Sequence, residues 1–219
     1  MRILALTDLH GKTTVLPQMA NMLSGADLVV LCGDITHFGR EPEMKAVIRQ
    51  IQTWNQHIFA VSGNCDYPEA ENFLANEAIT LTLRTRLFGE FQLTGLNGSL
   101  PCPGRTPQEF SEEEYSALLD DLTIQPGKPL ILVSHQPPFG TLTDQVSPGY
   151  HVGSSSVRHF IEKHQPLVCF TGHIHEGIAI DHIGKTAIVN PGPAGKGNYA
   201  IAEIEGVSIN NIQLHNLIT

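Results

Sequence analysis

The sequence predicts an α/β fold built around a buried β-sheet, and three observations indicate it. The chain has 219 residues, of which 41% are apolar, and this is enough for one sizeable core. Short apolar runs bounded by turn residues alternate with amphipathic helical patterns, as they do in βαβ units. Clusters of Asp, Asn and His directly follow several of these runs, where the carboxyl ends of buried strands carry ligand-binding residues.

The first part of the chain alternates strands with helices. Apolar runs predict strands over residues 3–6, 28–31 and 58–61. Apolar residues at helical spacing predict one helix over residues 16–23 and a second over residues 44–51. This alternation favours parallel strands joined by helical crossovers.

The rest of the chain is predicted to be richer in strands. Alternating apolar and polar residues over 200–212 predict a hairpin that turns at Glu205 and Gly206. Residues 97–129 are acidic and rich in proline and glycine, with one helix predicted over 111–122. We interpret this segment as a surface excursion from a single domain that spans residues 1–219. The other predicted strands cover residues 79–83, 91–96, 130–133, 167–171 and 186–189.

Composition excludes several classes of protein. Lysine and arginine number 13 against 22 acidic residues, so the formal net charge is −9, and strong nucleic-acid binding is not expected. No apolar run approaches the ~20 residues that span a bilayer, so no membrane association is expected. The N-terminus does not resemble a secretory signal, and the four cysteines lack paired spacing. We therefore expect a soluble, cytoplasmic protein, and the sequence leaves its oligomeric state open.

The polar clusters stand just after predicted strands. Glycine precedes Asp34, Asn64 and His173, where the backbone must turn sharply and approach an ion closely. The Asp-x-His and His-x-His spacings place two side chains at alternate positions of an extended segment, from which both reach one cavity. The clusters are Asp8 with His10, Asp34, Asn64 with Asp66, His135, and His173 with His175.

Each of these residues also has an ordinary structural interpretation. Asp8 suits a helix cap for the segment that follows it, and Asn64 suits a turn. Taken alone, His135 is evenly balanced between a structural and a ligand role. Two histidines after a glycine, as at His173 and His175, are seldom only structural. The order of the clusters along the chain favours metal ligation.

Other polar residues are weaker candidates. Asp66 is predicted to orient a neighbouring group or turn by hydrogen bonds, with a plain surface carboxylate as the alternative. His37 and His151 stay outside the predicted site, because lone histidines are usually ordinary surface or core residues. Cys32 is predicted to fill the core. Residues 190–193 are predicted either to shape a loop near the site or to form a simple turn.

Together, the ordered motifs resemble those of the calcineurin-like metallophosphoesterase family. The resemblance extends from Asp8 to Gly192, and five motifs in order are far more specific than any one of them. It implies the family's four-layer αββα sandwich, in which two mixed β-sheets are flanked by helices.

The resemblance also implies two divalent transition-metal ions. Mixed imidazole and oxygen ligands suit Mn, which we favour, as well as Fe, Zn, Ni or Co, and they disfavour Ca. Asp34 would bridge the ions, and Asp34, Asn64 and His135 are the predicted catalytic residues. The implied ligands are Asp8, His10, Asp34 and His175 for one ion, and Asp34, Asn64, His135 and His173 for the other.

The activity implied is hydrolysis of a small phosphate ester by a hydroxide shared between ions ~3.5–4 Å apart. A phosphodiester is the favoured substrate, and a phosphomonoesterase or a nuclease of the same family is the first alternative. A non-catalytic scaffold with the same fold is a more distant alternative, because such scaffolds usually lose ligands and every ligand position is present here.

One position departs from the common family pattern. Many members have a histidine, thought to help protonate the leaving group, where this chain has Cys65. Other microbial members carry the same Gly-Asn-Cys-Asp motif and resemble phosphodiesterases. Because a thiol is a poor acid for a basic leaving group, we expect Cys65 to have little chemical role.

Overall fold

Two β-sheets form the centre of the structure, a computed structural model that describes residues 1–218. The helices are α1 (Ala20–Ser24), α2 (Glu41–Ile51), α3 (Pro68–Asn76), α4 (Glu112–Asp120) and α5 (Ser155–His164). The strands are β1 (Arg2–Leu6), β2 (Leu28–Cys32), β3 (Ile58–Val61), β4 (Arg86–Phe88), β5 (Phe91–Leu96), β6 (Leu130–Ser134), β7 (Gln145–Ser147), β8 (Tyr150–His151), β9 (Val168–Thr171), β10 (Ala179–Ile183), β11 (Thr186–Asn190), β12 (Asn198–Glu205) and β13 (Ser208–Asn216). Short 3₁₀ helices cover Thr13–Met19, Leu142–Asp144 and Ala194–Lys196.

Both sheets are mixed. The first has the order β13-β12-β1-β2-β3, with β1, β2 and β3 parallel and the C-terminal hairpin β12–β13 added antiparallel to β1. The second has the order β10-β11-β9-β6-β5-β4, parallel in its middle and antiparallel at both edges. Strands β7 and β8 form a separate ribbon.

The two sheets pack face to face and bury a common core. Successive side chains of a strand point to opposite faces of the sheet, so one strand contributes residues to the cores on both sides. Ile3 and Ala5 of β1 belong to the core between the sheets, together with Ile131 and Phe170 of the second sheet. Leu4 of β1 instead joins the core beneath the helices of the first half of the chain.

Helices cover the outer faces of both sheets. Met44, Val47, Ile48 and Ile51 of α2 follow helical spacing and are buried against the first sheet. On the other side, α4 and α5 pack on the second sheet through residues such as Tyr115 and Phe160. The predicted order of layers, helix–sheet–sheet–helix, is therefore confirmed.

Local hydrogen bonds explain how α4 and α5 are joined. Ser154 caps α5 by accepting from the backbone N–H of Val157, and Gln165, directly after the helix, has a left-handed conformation. The Glu112 carboxylate of α4 accepts from the Ser154 hydroxyl and from the backbone N–H of Ser155. The first turns of the two helices are thereby tied together.

Some predicted elements are corrected by the structure. The strand predicted over residues 79–83 is wrong, because this segment crosses from one sheet to the other and pairs only at single residues, Ala60 with Thr80 and Thr82 with Gly95. The helix predicted over 16–23 is a 3₁₀ helix that continues into α1. Helices α3 and α5 were not predicted. No helix among residues 1–218 is long and apolar enough to cross a membrane.

Candidate metal centre

The predicted ligands meet at the carboxyl ends of parallel strands from both sheets. The first sheet supplies those after β1, β2 and β3, and the second supplies those after β6 and β9. The site therefore lies where the two sheets adjoin. In chain order its members are Asp8 and His10 after β1, Asp34 after β2, Asn64 after β3, His135 after β6, and His173 and His175 after β9.

The backbone of the site is held in uncommon conformations. Asp8 has φ 53°, His10 has φ 46°, Asp34 has φ 46° and His173 has φ 66°, all in the left-handed region. Such residues cost free energy and persist when neighbouring contacts fix them. The Asp8 N–H donates to the Gly33 carbonyl at 3.0 Å, and the His10 N–H donates to the Asp34 carbonyl at 2.9 Å.

Close packing also depends on glycine. At Gly33, φ is 92° and an added β-carbon would overlap the His135 ring. At Gly172, an added β-carbon would overlap the Thr7 hydroxyl and Asp8 Oδ2. The glycines seen in the motifs are therefore required by the close approach of ligands from different strands.

The first ligand group consists of Asp8, His10 and His175, with Asp34 beside it. His175 Nε2 lies 3.1 Å from Asp8 Oδ1 and 3.4 Å from His10 Nε2. His10 Nε2 lies 3.7 Å from both Asp8 Oδ1 and Asp34 Oδ2. Two ligand atoms that each lie ~2.1 Å from one ion, at right angles to each other, are about 3 Å apart. The distances within this group are close to that value, so the group fits a metal ion.

The second ligand group consists of Asn64 and His135, again with Asp34 beside it. His135 Nε2 lies 2.9 Å from Asn64 Oδ1 and 3.4 Å from Asp34 Oδ1. The His173 ring is close by, with its centroid 5.2 Å from that of His135. Asp34 thus presents one carboxylate oxygen to each group.

Hydrogen bonds orient the ligand side chains. His135 Nδ1 lies 2.7 Å from the Cys32 carbonyl, which can only accept, so Nδ1 donates and Nε2 faces the ligand group. Asp8 Oδ2 accepts from the Thr7 hydroxyl at 2.7 Å and from the His173 N–H at 3.2 Å, which leaves Oδ1 for the first group. Sequence reasoning missed Thr7 and the Cys32 carbonyl, since a backbone acceptor has no sequence signal.

Asp66 orients the loops, as predicted, and is fully buried. Its carboxylate accepts from the N–H groups of Ile35, Thr36 and Gly63 and from the Thr36 hydroxyl. It therefore links the loop that carries Asp34 to the loop that carries Asn64. The surface-carboxylate alternative is wrong.

The loop over residues 190–193 does shape the site. Asn190 Nδ2 donates to the Ile174 carbonyl at 2.8 Å, in the middle of the His173–His175 segment. Cys32 is fully buried between the sheets, as predicted. His37 is exposed, although its ring centroid lies 5.7 Å from that of His10.

Comparison with known proteins assigns the chain to a family. The sequence model described as calcineurin-like phosphoesterase matches residues 1–177. The chain belongs to this family. Calcineurin-like phosphoesterases are metal-dependent and typically bind two metal ions, and the Asp and His groups of such a centre are present here.

One curated relative and two solved structures are also similar to the chain. The chain is 37% identical over 198 residues to the uncharacterized protein MJ1162 of Methanocaldococcus jannaschii, covering 88% of each chain. Its fold is similar to that of TT1561 of Thermus thermophilus, with a TM-score of 0.79, 19% identity, and coverage of 99% of this chain and 98% of that one. It is also similar in fold to a novel archaeal phosphodiesterase, with a TM-score of 0.55, 15% identity, and coverage of 98% and 100%.

The electrostatics of this candidate site couple its histidines to its carboxylates. Burial disfavours a charged His135, but the Asp34 carboxylate outweighs it and raises the pKa of His135 to about 9. Burial, together with the nearby His135, lowers the pKa of His173 to about 4. Burial opposes ionisation of Asp34, but His135 and His10 hold its pKa well below the ordinary value.

Cys65 lies at the edge of the site. Its Sγ belongs to a possible ligand cluster with His10 and Asp34, whose ligand atoms all lie within 4.8 Å of one another. Burial, and then the Asp34 carboxylate, raise the pKa of the Cys65 thiol well above its ordinary value. The thiol is therefore protonated at neutral pH in this environment, which makes it neither a nucleophile nor an effective acid.

Proposed function

We propose that this phosphoesterase is a phosphodiesterase with a dinuclear centre, for which Mn is the favoured metal. The observation that carries the proposal is the placement of Asp34, whose two carboxylate oxygens face two separate ligand groups. A single carboxylate shared in this way is what a pair of adjacent ions requires. When bound, the ions would supply Lewis acidity and lower the pKa of a bound water.

The protein's own residues hold and orient this centre. Asp8, His10, His175 and Asp34 would bind one ion, and Asp34, Asn64, His135 and His173 the other. The His175 side chain is 37% exposed, whereas that of His135 is fully buried. A substrate therefore approaches from the side of the first group, and the second group forms the inner wall of the site.

The charges around the site favour a diester over a monoester. Among the described residues, no lysine or arginine forms a hydrogen bond or ion pair with any of the proposed ligands. Two divalent ions, offset by two carboxylates and a bound hydroxide, would leave one positive charge, which matches the single negative charge of a phosphodiester. A phosphomonoester dianion has a second negative charge, which this balance would leave without a counter-charge.

The test compares two substrates with the same leaving group, bis(p-nitrophenyl) phosphate and p-nitrophenyl phosphate, with Mn(II)-loaded protein. We expect a larger kcat/KM for the diester. Chelation should abolish turnover, Mn(II) should restore it, and Ca(II) should not. An equal or larger kcat/KM for the monoester would contradict the diesterase assignment. A Mn-replete protein that cleaves neither ester, nor a short oligonucleotide, would contradict an enzymatic role.

A further inference from the structure

Residues 97–129, the predicted surface excursion, contact the second ligand group. Asn64 Nδ2 donates to the Thr106 hydroxyl at 3.0 Å. The Gln108 backbone N–H donates to the Asn64 carbonyl at 3.2 Å, and its buried side chain donates to the Gly63 and Asp66 carbonyls. Residues of this segment therefore hold both the backbone and the side chain of Asn64.

The hydroxyl of Thr106 has only one proton, and its direction can be deduced. The Thr106 hydroxyl lies 2.8 Å from Glu109 Oε1, which also accepts from the Thr106 N–H at 2.6 Å. Although burial opposes ionisation, hydrogen bonds from Thr106 and Cys102 hold the pKa of Glu109 below its usual value. An ionised carboxylate only accepts, so the Thr106 hydroxyl donates to Glu109.

The hydrogen bond that this proton makes determines the orientation of the Asn64 amide. Because the Thr106 hydroxyl donates to Glu109, only its lone pairs face Asn64, so the amide must present its NH₂ group there. Oδ1 then points the opposite way, to within 2.9 Å of His135 Nε2. A flipped amide would aim N–H donors, which cannot bind a cation, at the second ligand group.

We propose that Thr106 is a positioning residue that sets the orientation of the Asn64 amide and thereby the affinity of the second ligand group for its metal ion. This inference rests on the proposed dinuclear centre. It assigns to residues 102–109 a part in metal binding, although none of them is a ligand. Among the described residues, Thr106 hydrogen-bonds to Asn64 of the second ligand group and to none of the ligands of the first, so we expect its effect on one of the two ions.

The test measures Mn(II) binding by calorimetric titration of the wild type, Thr106→Val and Thr106→Ala, with Thr106→Ser as the matched control. Valine keeps the branched shape of threonine but lacks the hydroxyl, and alanine lacks both the branch and the hydroxyl. Serine keeps the hydroxyl. We expect two Mn(II) ions in the wild type and in Thr106→Ser. In Thr106→Val and Thr106→Ala, binding of one ion should weaken about 10–100-fold while binding of the other is unchanged. Circular dichroism of each variant confirms its fold.

The possible outcomes separate this inference from the proposed function. If the wild type binds two ions and the valine and alanine variants bind both with wild-type affinity, the inference is wrong and the dinuclear centre stands. If the serine variant is as weak as the valine variant, the hydroxyl is not responsible and the inference is also wrong. If the wild type itself binds fewer than two ions, the proposed dinuclear centre fails and the inference fails with it.

Discussion

Asp34 is the residue on which both ligand groups depend. Substituting Asp34→Asn keeps the size of the side chain but removes the shared charge, and both ions should bind about 10–100-fold more weakly or worse. We expect turnover of an aryl diester to fall below detection while the circular dichroism spectrum stays that of the wild type. The measurement is kcat together with the metal content of the purified variant.

The matched control is Asp120→Asn, which also removes one carboxylate charge. Asp120 is 70% exposed and pairs with Lys163 on the surface, so its loss should leave turnover unchanged. Near wild-type turnover by a metal-replete Asp34→Asn protein would rule out the dinuclear mechanism.

Substitutions at Cys65 test whether this side chain helps the leaving group to depart. Because the thiol is neutral and a poor acid, Cys65→Ala should change kcat/KM and metal content little. Cys65→His should accelerate cleavage of esters with poor leaving groups, since general-acid catalysis is typically worth ~10²–10⁴-fold. The measurement is log kcat/KM against leaving-group pKa for the wild type and both variants. A large loss of activity or of metal in Cys65→Ala would show that the sulfur has a role as an acid or a ligand.

At the scale of single elements, the turn after β9 must pack directly against the turn after β1. Gly172→Ala places a β-carbon on the Thr7 hydroxyl and Asp8 Oδ2. We expect it to lower the free energy of unfolding by about 1–3 kcal/mol and to weaken metal binding, because Asp8 is displaced. Gly104→Ala is the control, since its β-carbon meets only Thr106 Cγ2, at 3.9 Å. Equal unfolding free energies for the two variants would contradict this explanation.

The sequence predicted best those elements whose apolar pattern follows from burial in a sheet. Strands such as β2 and β6 are buried on both faces, so residues 28–32 and 130–133 form continuous apolar runs. The segment over 79–83 instead alternates apolar residues with threonine, as a half-buried strand does. Thr80 and Thr82 hydrogen-bond to the Glu71 carboxylate, however, and the chain crosses between sheets. Burial alone does not distinguish such a crossing from a strand.

The site, too, could be predicted from the sequence only in part. The ligand residues were identifiable because their types and order along the chain are distinctive. Their supporting contacts were not identifiable, because they depend on where distant segments meet. The Thr106 hydroxyl reaches Asn64 across 42 positions of sequence, and the Cys32 carbonyl reaches His135 across 103.

For the molecule as a whole, metal binding should be coupled to pH through His135. Asp34 raises the pKa of His135 to about 9, so at neutral pH His135 carries a proton that a metal ion must displace. The pKa of His173 is lowered to about 4, so His173 is already neutral. Apparent Mn(II) affinity should therefore increase as pH rises from about 7 to 9, by up to about tenfold per pH unit.

Calorimetry in buffers of different protonation enthalpy measures this coupling. Binding at neutral pH should release about one proton from His135, so the observed enthalpy should depend on the buffer. In Asp34→Asn the charge that holds this proton is gone, and the release should shrink. A buffer-independent enthalpy in the wild type would contradict the raised pKa of His135.

The pairing of β1 with β12 has a consequence for synthesis on the ribosome. Arg2 lies opposite Glu203, so β1 completes its hydrogen bonds with a strand that is synthesised about 200 residues later. At about 5–20 residues per second, roughly 10–40 s of translation separate the two. During this interval one edge of β1 is open to pairing with another chain. In arrested nascent chains, the backbone amides of β1 should gain full protection from hydrogen exchange only after residues 198–205 have emerged.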